Sequence, residues 1–327
     1  MTDKRMVPGP GNRSLLVENG PMRLVIQAWN GSRFDMAAAK LAGEIAFACL
    51  EQVAVCRNLL RHRSENLLEK IDPQAFPVPV QMVKNTLVFD APDLTPMAAV
   101  AGSIADRVAD FLFKIGVSKV IVDNGGDIAI RLSGEEIARV GVRSDIASPE
   151  ITHEILLDSR CPSWGINTSG LGGRSFTRGI ATAATVVAQS SARADAAATD
   201  LANACFCEDE GIVQVPAGQL DPMTDIPDIP VTVQVRNVKP ETIACSLERS
   251  LARATGYVES GLIMGAIITA SGKTVHTVLP LDIPRDMPLF TMPLYFPKNW
   301  RCGCSMGKFK GNHNLESESD VTRNHPS

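Results

Sequence analysis

The residues best suited to chemistry fall in three short segments in the middle third of the chain: Asn124-Gly-Gly-Asp127, Thr168-Ser-Gly170 and Ala194-Asp-Ala-Ala-Ala-Thr199. Glycine and alanine let a ligand lie close to the backbone, while the amide, hydroxyl and carboxylate groups between them offer hydrogen bonds and oxygen ligands. Such groups suit a phosphate or a hard cation. We therefore predict that this part of the chain binds a ligand.

The first segment consists of Asn124, Gly125, Gly126 and Asp127. Its two glycines would let backbone amides approach a phosphate, and Asp127 could reach a metal ion or a hydroxyl group. The same residue types also suit a tight turn between two strands, because Asn-Gly tolerates positive φ angles. Both interpretations remain open from the sequence.

The second segment opens a stretch, residues 165–178, that is dense in Gly, Ser and Thr. Backbone amides, hydroxyls and guanidinium groups together favour an anion-binding loop, and a long flexible loop is the alternative. The stretch lacks the Gly-Lys-Ser/Thr ending of a P-loop, and no helix follows as in the dinucleotide fingerprint. The predicted anion-binding residues are Thr168, Ser169, Gly170, Arg174 and Arg178.

The third segment places Asp195 and Thr199 four residues apart on a predicted helix, so both side chains share a face. A carboxylate and a hydroxyl are suitable ligands for Mg²⁺, which binds few protein groups and keeps water or phosphate oxygens as the rest. The alternative is that Asp195 caps the helix and Thr199 packs in the interior.

Two Cys-X-Cys pairs, Cys205/Cys207 and Cys302/Cys304, could together hold zinc or an iron–sulfur centre, although structural zinc sites usually have two to four residues between ligands. The chain shows no pattern typical of a disulfide framework. The cysteines of the alanine-rich helical segments are predicted to be small core residues: Cys49, Cys56 and Cys245.

The elements that must position these groups form an α+β pattern. Helices are predicted over residues 35–61, 96–115, 193–205 and 240–254. Strands are predicted over 22–29, 119–123, 128–132, 136–143, 151–157, 179–188, 231–235, 261–269 and 274–279, and residues 72–94 are predicted to be irregular with short strands. Because the strands occur as hairpins, the pattern favours antiparallel sheets packed with helices.

The composition limits the classes of partner. Of the 327 residues, 45% are hydrophobic, enough for a sizeable core, and a net charge of −4 argues against nucleic-acid binding. No stretch is apolar enough to span a membrane, and the polar N-terminus is unlike a secretion signal, so we expect a cytoplasmic protein. We predict a flexible N-terminus (residues 1–20), a single domain (21–284) and an irregular polar tail (285–327).

Taken together and in this order, the segments resemble the ApbE-like superfamily, and more closely an uncharacterised branch of it. The motifs that carry the resemblance are Thr95-Pro-Met-Ala-Ala-Val-Ala-Gly-Ser-Ile-Ala105 and the three segments above. The resemblance as a whole covers about residues 20–280. The best-known members are flavin transferases, which cleave FAD and attach FMN to a protein threonine. The resemblance implies an ApbE-like, T-fold-like arrangement of antiparallel sheets and helices.

The resemblance also implies a site. Flavin transferases hold Mg²⁺ with an alanine carbonyl, an aspartate and a threonine, which correspond here to the region of Ala184 and Thr185, to Asp195 and to Thr199. The flavin nucleotide site corresponds to Asn124–Asp127, Thr168–Gly170 and Arg174. We therefore expect FAD or FMN, with Mg²⁺, as the bound groups.

The chain departs from the flavin transferases at one place. Their His-Ile-Ile-Asp-Pro-type stretch corresponds to residues 172–181, which contain no His, Asp or Pro. The related branch often has His where this chain has Arg174 and Asp where it has Thr182.

The resulting hypothesis is a protein that binds a flavin nucleotide or another small phosphorylated or anionic ligand with Mg²⁺, with FMN transfer or FAD hydrolysis as its activity. One alternative is an enzyme for another small anionic substrate held by Arg174 and Arg178. A second alternative is a non-catalytic binding or assembly protein in sulfur (sulfide assimilation) or cofactor metabolism, in which Cys205 and Cys207 would serve. No membrane or nucleic-acid partner is expected, and self-association into a homo-oligomer is left open.

Overall fold

The computed structural model describes residues 4–277, and this part of the chain is an α+β protein, as the sequence predicted. Its strands are β1 (Arg5–Pro8), β2 (Leu15–Asn19), β3 (Met22–Asn30), β4 (Arg33–Phe34), β5 (Lys119–Asp123), β6 (Ile128–Leu132), β7 (Ile137–Val142), β8 (His153–Asp158), β9 (Ser163–Ser169), β10 (Ala183–Ala188), β11 (Ile212–Pro216), β12 (Pro230–Val235), β13 (Gly265–Ala270) and β14 (Lys273–His276). Its helices are α1 (Met36–Leu60), α2 (Leu67–Lys70), α3 (Pro77–Leu87), α4 (Val100–Lys114), α5 (Ser191–Ala204), α6 (Ala217–Leu220) and α7 (Pro240–Glu259).

The main sheet is antiparallel throughout, in the order β1-β2-β3-β5-β6-β9-β10-β13-β14, with β4 paired to β3. Two hairpins form separate two-stranded sheets, β7–β8 and β11–β12. Antiparallel strands can be joined by short connections, so this pairing agrees with the hairpins that the sequence predicted.

A layer of helices covers one face of the main sheet. Helix α1 packs on β2 and β3, α4 on β5 and β6, α5 on β9 and β10, and α7 on β13 and β14. The side chains between the layers are mostly aliphatic, with Leu24, Ile26 and Leu112 fully buried. Burying apolar side chains between a sheet and its helices is the main force that stabilises this arrangement.

The β7–β8 hairpin covers part of the opposite face. Side chains alternate along a strand, and Arg131 of β6 contacts α4, so its neighbours Ile130 and Leu132 face away from the helices. Both are fully buried, as are Ile155 and Leu157 of β8. The hairpin contacts β6 and closes a second, smaller core there.

The prediction that residues 72–94 are irregular was wrong, because they contain helix α3 (Pro77–Leu87). Prolines suggested a break in regular structure. Pro77 is the first residue of the helix and Pro79 lies in its first turn, where a missing N–H has no carbonyl to bond within the helix. The buried positions Val78, Met82 and Val83 then follow helical spacing against the core.

Residues near the N-terminus differ from the flexible segment that the sequence predicted for residues 1–20. Strands β1 and β2 pair with each other, and β2 continues into the main sheet, with Leu15 and Val17 fully buried. These strands have only four and five residues, so the alternation of apolar and polar side chains along them is too short to indicate a strand. The single domain of residues 21–284 remains a prediction, and the tail of residues 285–327 lies outside the described residues.

Within residues 4–277, no helix is both long and apolar enough to cross a membrane.

Candidate functional site

The first predicted segment forms the turn between β5 and β6. The Asn124 amide donates to the Asp127 carbonyl at 3.0 Å, and the Gly126 amide donates to the Asp123 carboxylate at 2.7 Å. Gly125 and Gly126 have φ angles of 76° and 104°, which favour glycine. The segment is therefore a tight turn, and it also lines a cavity through Gly125, Gly126 and Asp127.

Arg174 holds this turn in place. Its guanidinium donates to the Asn124 carbonyl at 3.0 Å and to the Pro21 carbonyl at 3.1 Å. A side chain on Gly125 would overlap the guanidinium, because an added Cβ would lie 1.5 Å from Arg174 Nη2. Asn124 itself is buried and donates to the Ala101 carbonyl, away from the residues that line the cavity.

The second predicted segment is the end of β9 and the bend after it, so the stretch that suggested a flexible loop begins as a strand. Thr168 and Thr185 face each other across β9 and β10, with their hydroxyl oxygens 2.8 Å apart. Gly170 leaves room for the neighbouring chain, because an added Cβ would lie 2.5 Å from the Thr182 carbonyl oxygen. Thr168, Ser169 and Gly170 all line the cavity.

The third predicted segment lies on α5, as its spacing indicated. Ser190 caps this helix by accepting from the Arg193 amide at 3.2 Å. Asp195 lines the cavity, and its carboxylate accepts from the Gly102 amide at 2.9 Å. Thr199 lies one turn further along α5 and is not among the residues that line the cavity.

A buried ion-pair cluster fixes the start of α5. The Asp106 carboxylate accepts from the Ser191 and Ala192 amides at 3.0 and 2.8 Å, which satisfies two unpaired donors of the helix. Arg131 pairs with Asp106 at 2.9 Å and with Asp110 at 2.8 Å. This cluster joins α4, β6 and α5 and so sets where Asp195 stands.

The cavity has a volume of about 540 Å³ and lies where the ends of β6, β9 and β10 meet the β7–β8 hairpin. Its volume is within the range of small-molecule and cofactor sites. All three predicted segments contribute to it, although they are far apart in the sequence. Its charged side chains are Arg23, Arg143, Arg174, Asp127 and Asp195. Its apolar side chains include Ile128, Val140, Val142, Ile146, Ile166 and Leu171.

The two carboxylates of the cavity hold protons unusually tightly. Burial raises the pKa of Asp127 to about 7, against the lowering effects of the Asn167 hydrogen bond at 3.0 Å and of the Arg174 charge. Burial also raises the pKa of Asp195, and the negative charge of Asp127 raises it further. Two carboxylates that resist ionising together in one cavity favour a bound cation or a shared proton.

Sequence reasoning missed several residues of the cavity. Arg143 follows β7 directly, is exposed, and has no ion pair or hydrogen bond within residues 4–277. Ile146, in the loop that joins β7 and β8, is 57% exposed although it is apolar. Neither residue stands in a recognisable motif, and only the packing of the hairpin on the sheet brings them to the site.

One of the two predicted anion-binding arginines does not belong to the cavity. Arg178 forms an ion pair with Asp93, and its carbonyl accepts from Gln214 and Thr232. The structure therefore does not bring Arg174 and Arg178 together around one anion.

The cysteines differ from their predicted roles. Cys49 and Cys56 are buried and free, as predicted, but Cys245 is exposed and forms a disulfide with Cys207. Cys205 is a buried free thiol, so the pair Cys205/Cys207 does not present two adjacent thiols. Cys302 and Cys304 lie outside the described residues. Between residues 4 and 277, no group of three or more His, Cys, Asp or Glu side chains is placed to hold a metal ion.

Comparison with known proteins gives a family. A family model described as "AbpE bacteria" matches residues 5–276, which confirms the resemblance to the ApbE-like superfamily. Among curated proteins, a UPF0280 protein of Methanocaldococcus jannaschii is 33% identical over 146 residues, 41% of this chain and 57% of that protein. A UPF0280 protein of Methanothrix thermoacetophila is 41% identical over 113 residues, 33% of this chain and 45% of that protein. The chain thus spans about half the length of these relatives.

Among solved structures, the flavin transferase ApbE from Vibrio cholerae has a TM-score of 0.44 and 12% identity, and the match covers 85% of this chain and 97% of that one. The ApbE protein of Thermotoga maritima has a TM-score of 0.40 and 13% identity, over 85% of this chain and 97% of that one.

Proposed function

Because the chain belongs to the AbpE bacteria family, we propose that its central cavity binds a flavin nucleotide, FAD or FMN, together with Mg²⁺. The observation that carries the proposal is the meeting of two carboxylates, three arginines and an apolar wall in one cavity of about 540 Å³. A nucleotide presents matching groups: phosphates for cations and a planar ring for an apolar surface.

The oxygen donors of the cavity fit the proposed cation. Asp127 and Asp195 supply two carboxylates, and Thr168 and Thr185 supply two hydroxyls in the same cavity. These are the hard oxygen ligands that Mg²⁺ prefers, and Mg²⁺ takes its remaining ligands from water and phosphate. Because Asp127 lines the cavity and Thr199 does not, we propose Asp195 and Asp127 as the Mg²⁺ ligands in place of Asp195 and Thr199. When bound, the cation would neutralise phosphate charge.

The arginines divide into two roles in this proposal. Arg143 has a guanidinium with no ion pair or hydrogen bond among the described residues, so it would be available to pair with a phosphate. Arg23 also lines the cavity, and its guanidinium is held by an exposed ion pair with Glu18 at 3.3 Å. Arg174, in contrast, already donates to two carbonyls and would support the turn that carries Asp127.

The apolar wall would take the flavin ring. Ile146 is exposed on the β7–β8 loop, and Ile128 and Ile166 line the sheet side of the cavity. Covering exposed apolar side chains with an aromatic ring is favourable at about 25 cal/mol per Å² of buried apolar area. The activity proposed with this binding mode is cleavage of the FAD diphosphate: an acceptor hydroxyl or water attacks the phosphate of the FMN half, the phosphoanhydride bond breaks, and AMP leaves.

The test measures binding and cleavage separately. Quenching of flavin fluorescence is followed as the full chain is added to FAD or FMN, with and without Mg²⁺, and AMP release from FAD is followed by chromatography. We expect micromolar binding that strengthens with Mg²⁺. Arg143→Gln should weaken binding about tenfold or more, as expected for a lost charge-assisted bond of at least 1.5 kcal/mol.

Arg139→Gln is the matched control, because Arg139 lies on the same hairpin, pairs with Glu154 in solvent and does not line the cavity. It should leave flavin binding unchanged. Absence of binding of either flavin at several hundred micromolar, with Mg²⁺ present, would rule the proposal out. Binding without AMP release would support the flavin-binding proposal and rule out the proposed cleavage activity.

A further inference from the structure

A second cavity of about 270 Å³ is lined in part by α4 and shares no lining residue with the central one. It opens between α3 and α4, beside the ends of β6 and β9. Its volume corresponds to roughly nine water molecules at about 30 Å³ each. A ligand for it would be small, below the size of a nucleotide.

The inner part of this cavity contains unused hydrogen-bonding capacity. The Ser103 hydroxyl is buried and has no hydrogen-bond partner among the described residues. Arg131 is 4% exposed and donates once each to Asp106, to Asp110 and to the Ile130 carbonyl, which leaves two of its five N–H groups without a protein acceptor. Buried polar groups in folded proteins nearly always have partners, so these donors indicate a site for another molecule.

The rim of the cavity carries two charges of opposite sign that do not neutralise each other. Arg107 is exposed and makes no ion pair or hydrogen bond within residues 4–277. Asp110 contacts Arg131 through one oxygen only, and its side chain is 59% exposed. Arg107 and Asp110 are three residues apart on α4 and therefore lie on the same side of the helix.

The inner charges are already balanced. Arg131 pairs with Asp106 and with one oxygen of Asp110, and the first amides of α5 also donate to Asp106. A simple anion in the cavity would be attracted by Arg107 but repelled by Asp110. A simple cation would be attracted by Asp110 but repelled by Arg107. A molecule that carries both charges would satisfy both rim groups at once.

We propose that this second cavity binds a small zwitterion of the amino-acid class. Its carboxylate would pair with Arg107, its ammonium group would pair with Asp110, and a polar side chain would reach the donors of Ser103 and Arg131. Apolar contact is supplied by Pro77 and Val78 of α3. The site is separate from the proposed flavin site, and neither proposal depends on the other.

The test begins with the full chain and each of the twenty standard amino acids at about 10 mM, using ligand-observed NMR and thermal shift. Calorimetry then gives the Kd of the tightest binder and of its two analogues that lack either the amino or the carboxyl group. We expect at least one amino acid to bind and both analogues to bind at least tenfold more weakly. The absence of any binder overturns the proposal, and so does an analogue without the amino group that binds as well as its parent.

Variants identify the site. Arg107→Gln should weaken the parent amino acid at least tenfold but leave the analogue without a carboxyl group unchanged. Asp110→Asn should weaken the parent amino acid at least tenfold but leave the analogue without an amino group unchanged. The side-chain oxygen of the asparagine would still accept from Arg131. Arg236→Gln, an exposed arginine outside the cavity, is the control and should leave binding unchanged. Binding that survives both Arg107→Gln and Asp110→Asn would place the ligand elsewhere and overturn the assignment.

Ser103→Ala separates a ligand-binding role from a structural one. Because this hydroxyl has no protein partner, its removal should leave the melting temperature equal or higher, yet weaken the parent amino acid severalfold. A fall in melting temperature together with unchanged ligand binding would show that the hydroxyl serves the fold alone and would contradict its proposed contact.

Discussion

Replacing Asp127 with Asn should stabilise the ligand-free protein, and more so at pH 8 than at pH 5. Burial raises the pKa of this carboxyl from 3.8 to about 7 in the folded chain. The folded state therefore holds the proton more tightly than the unfolded state. The contribution of Asp127 to stability is full below about pH 4 and is lost as the pH rises through 7, because the charged form is then the one that must be buried.

The size of the effect follows from the same pKa values. Each pH unit between the two pKa values changes the free energy of unfolding by about 1.4 kcal/mol, so the part between pH 5 and pH 7 amounts to about 3 kcal/mol. Asp127 lines a cavity that admits water, and this water screens part of the penalty. We expect Asp127→Asn to gain about 1–2 kcal/mol more at pH 8 than at pH 5. The Asn oxygen would still accept the hydrogen bond from Asn167.

Urea denaturation of the parent and variant proteins at the two pH values measures this difference directly. Asp228→Asn is the control, because Asp228 is exposed and outside the cavity, and it should show no such dependence on pH. An equal gain for Asp127→Asn at both pH values, or a larger gain at pH 5, would refute burial as the cause of the raised pKa.

Three further predictions concern the scaffold, each measured by urea denaturation. Arg131→Ala should cost about 3–5 kcal/mol because it leaves the buried carboxylate of Asp106 without its cationic partner, whereas the exposed pair of Arg139 should contribute less than about 1 kcal/mol; equal losses would contradict this contrast. Gly102→Ala should cost about 1–3 kcal/mol, because the new Cβ would lie 2.4 Å from a backbone oxygen of α5, and a neutral result would mean that α5 shifts freely. Breaking the Cys207–Cys245 disulfide by reduction should cost about 4 kcal/mol for a 38-residue separation, and two extra cysteines should react with an alkylating reagent only after reduction.

Local rules predicted the parts of the site that depend on neighbours in the sequence. The turn at Asn124–Asp127 follows from residues that tolerate positive φ angles, and the position of Asp195 on a helix follows from the surrounding alanines. The α+β class followed in the same way from hairpin spacing. In these places the residue types alone determine the backbone conformation.

Pairings between distant residues could not be predicted in this way. Arg143 reaches the cavity only because the β7–β8 hairpin packs across the sheet, and Cys245 meets Cys207 only because α7 lies beside the end of α5. A single sequence carries no local sign of either contact. The spacing that suggested Arg174 and Arg178 as partners misled for the same reason, because Arg178 pairs with Asp93 of a distant loop.

The close approach of backbone to backbone around α5 restricts how the sequence can change over time. An added Cβ on Gly102, Gly165 or Gly179 would lie 2.1–2.4 Å from main-chain atoms of α5 or of the residue that caps it. The helix is therefore positioned by atoms that every amino acid possesses, and substitutions on α5 itself need not move it. A larger residue at any of these three glycines, in contrast, would displace the helix and move Asp195 with it. We expect their codons to tolerate far less variation than those of the surrounding surface, even in descendants whose ligand has changed.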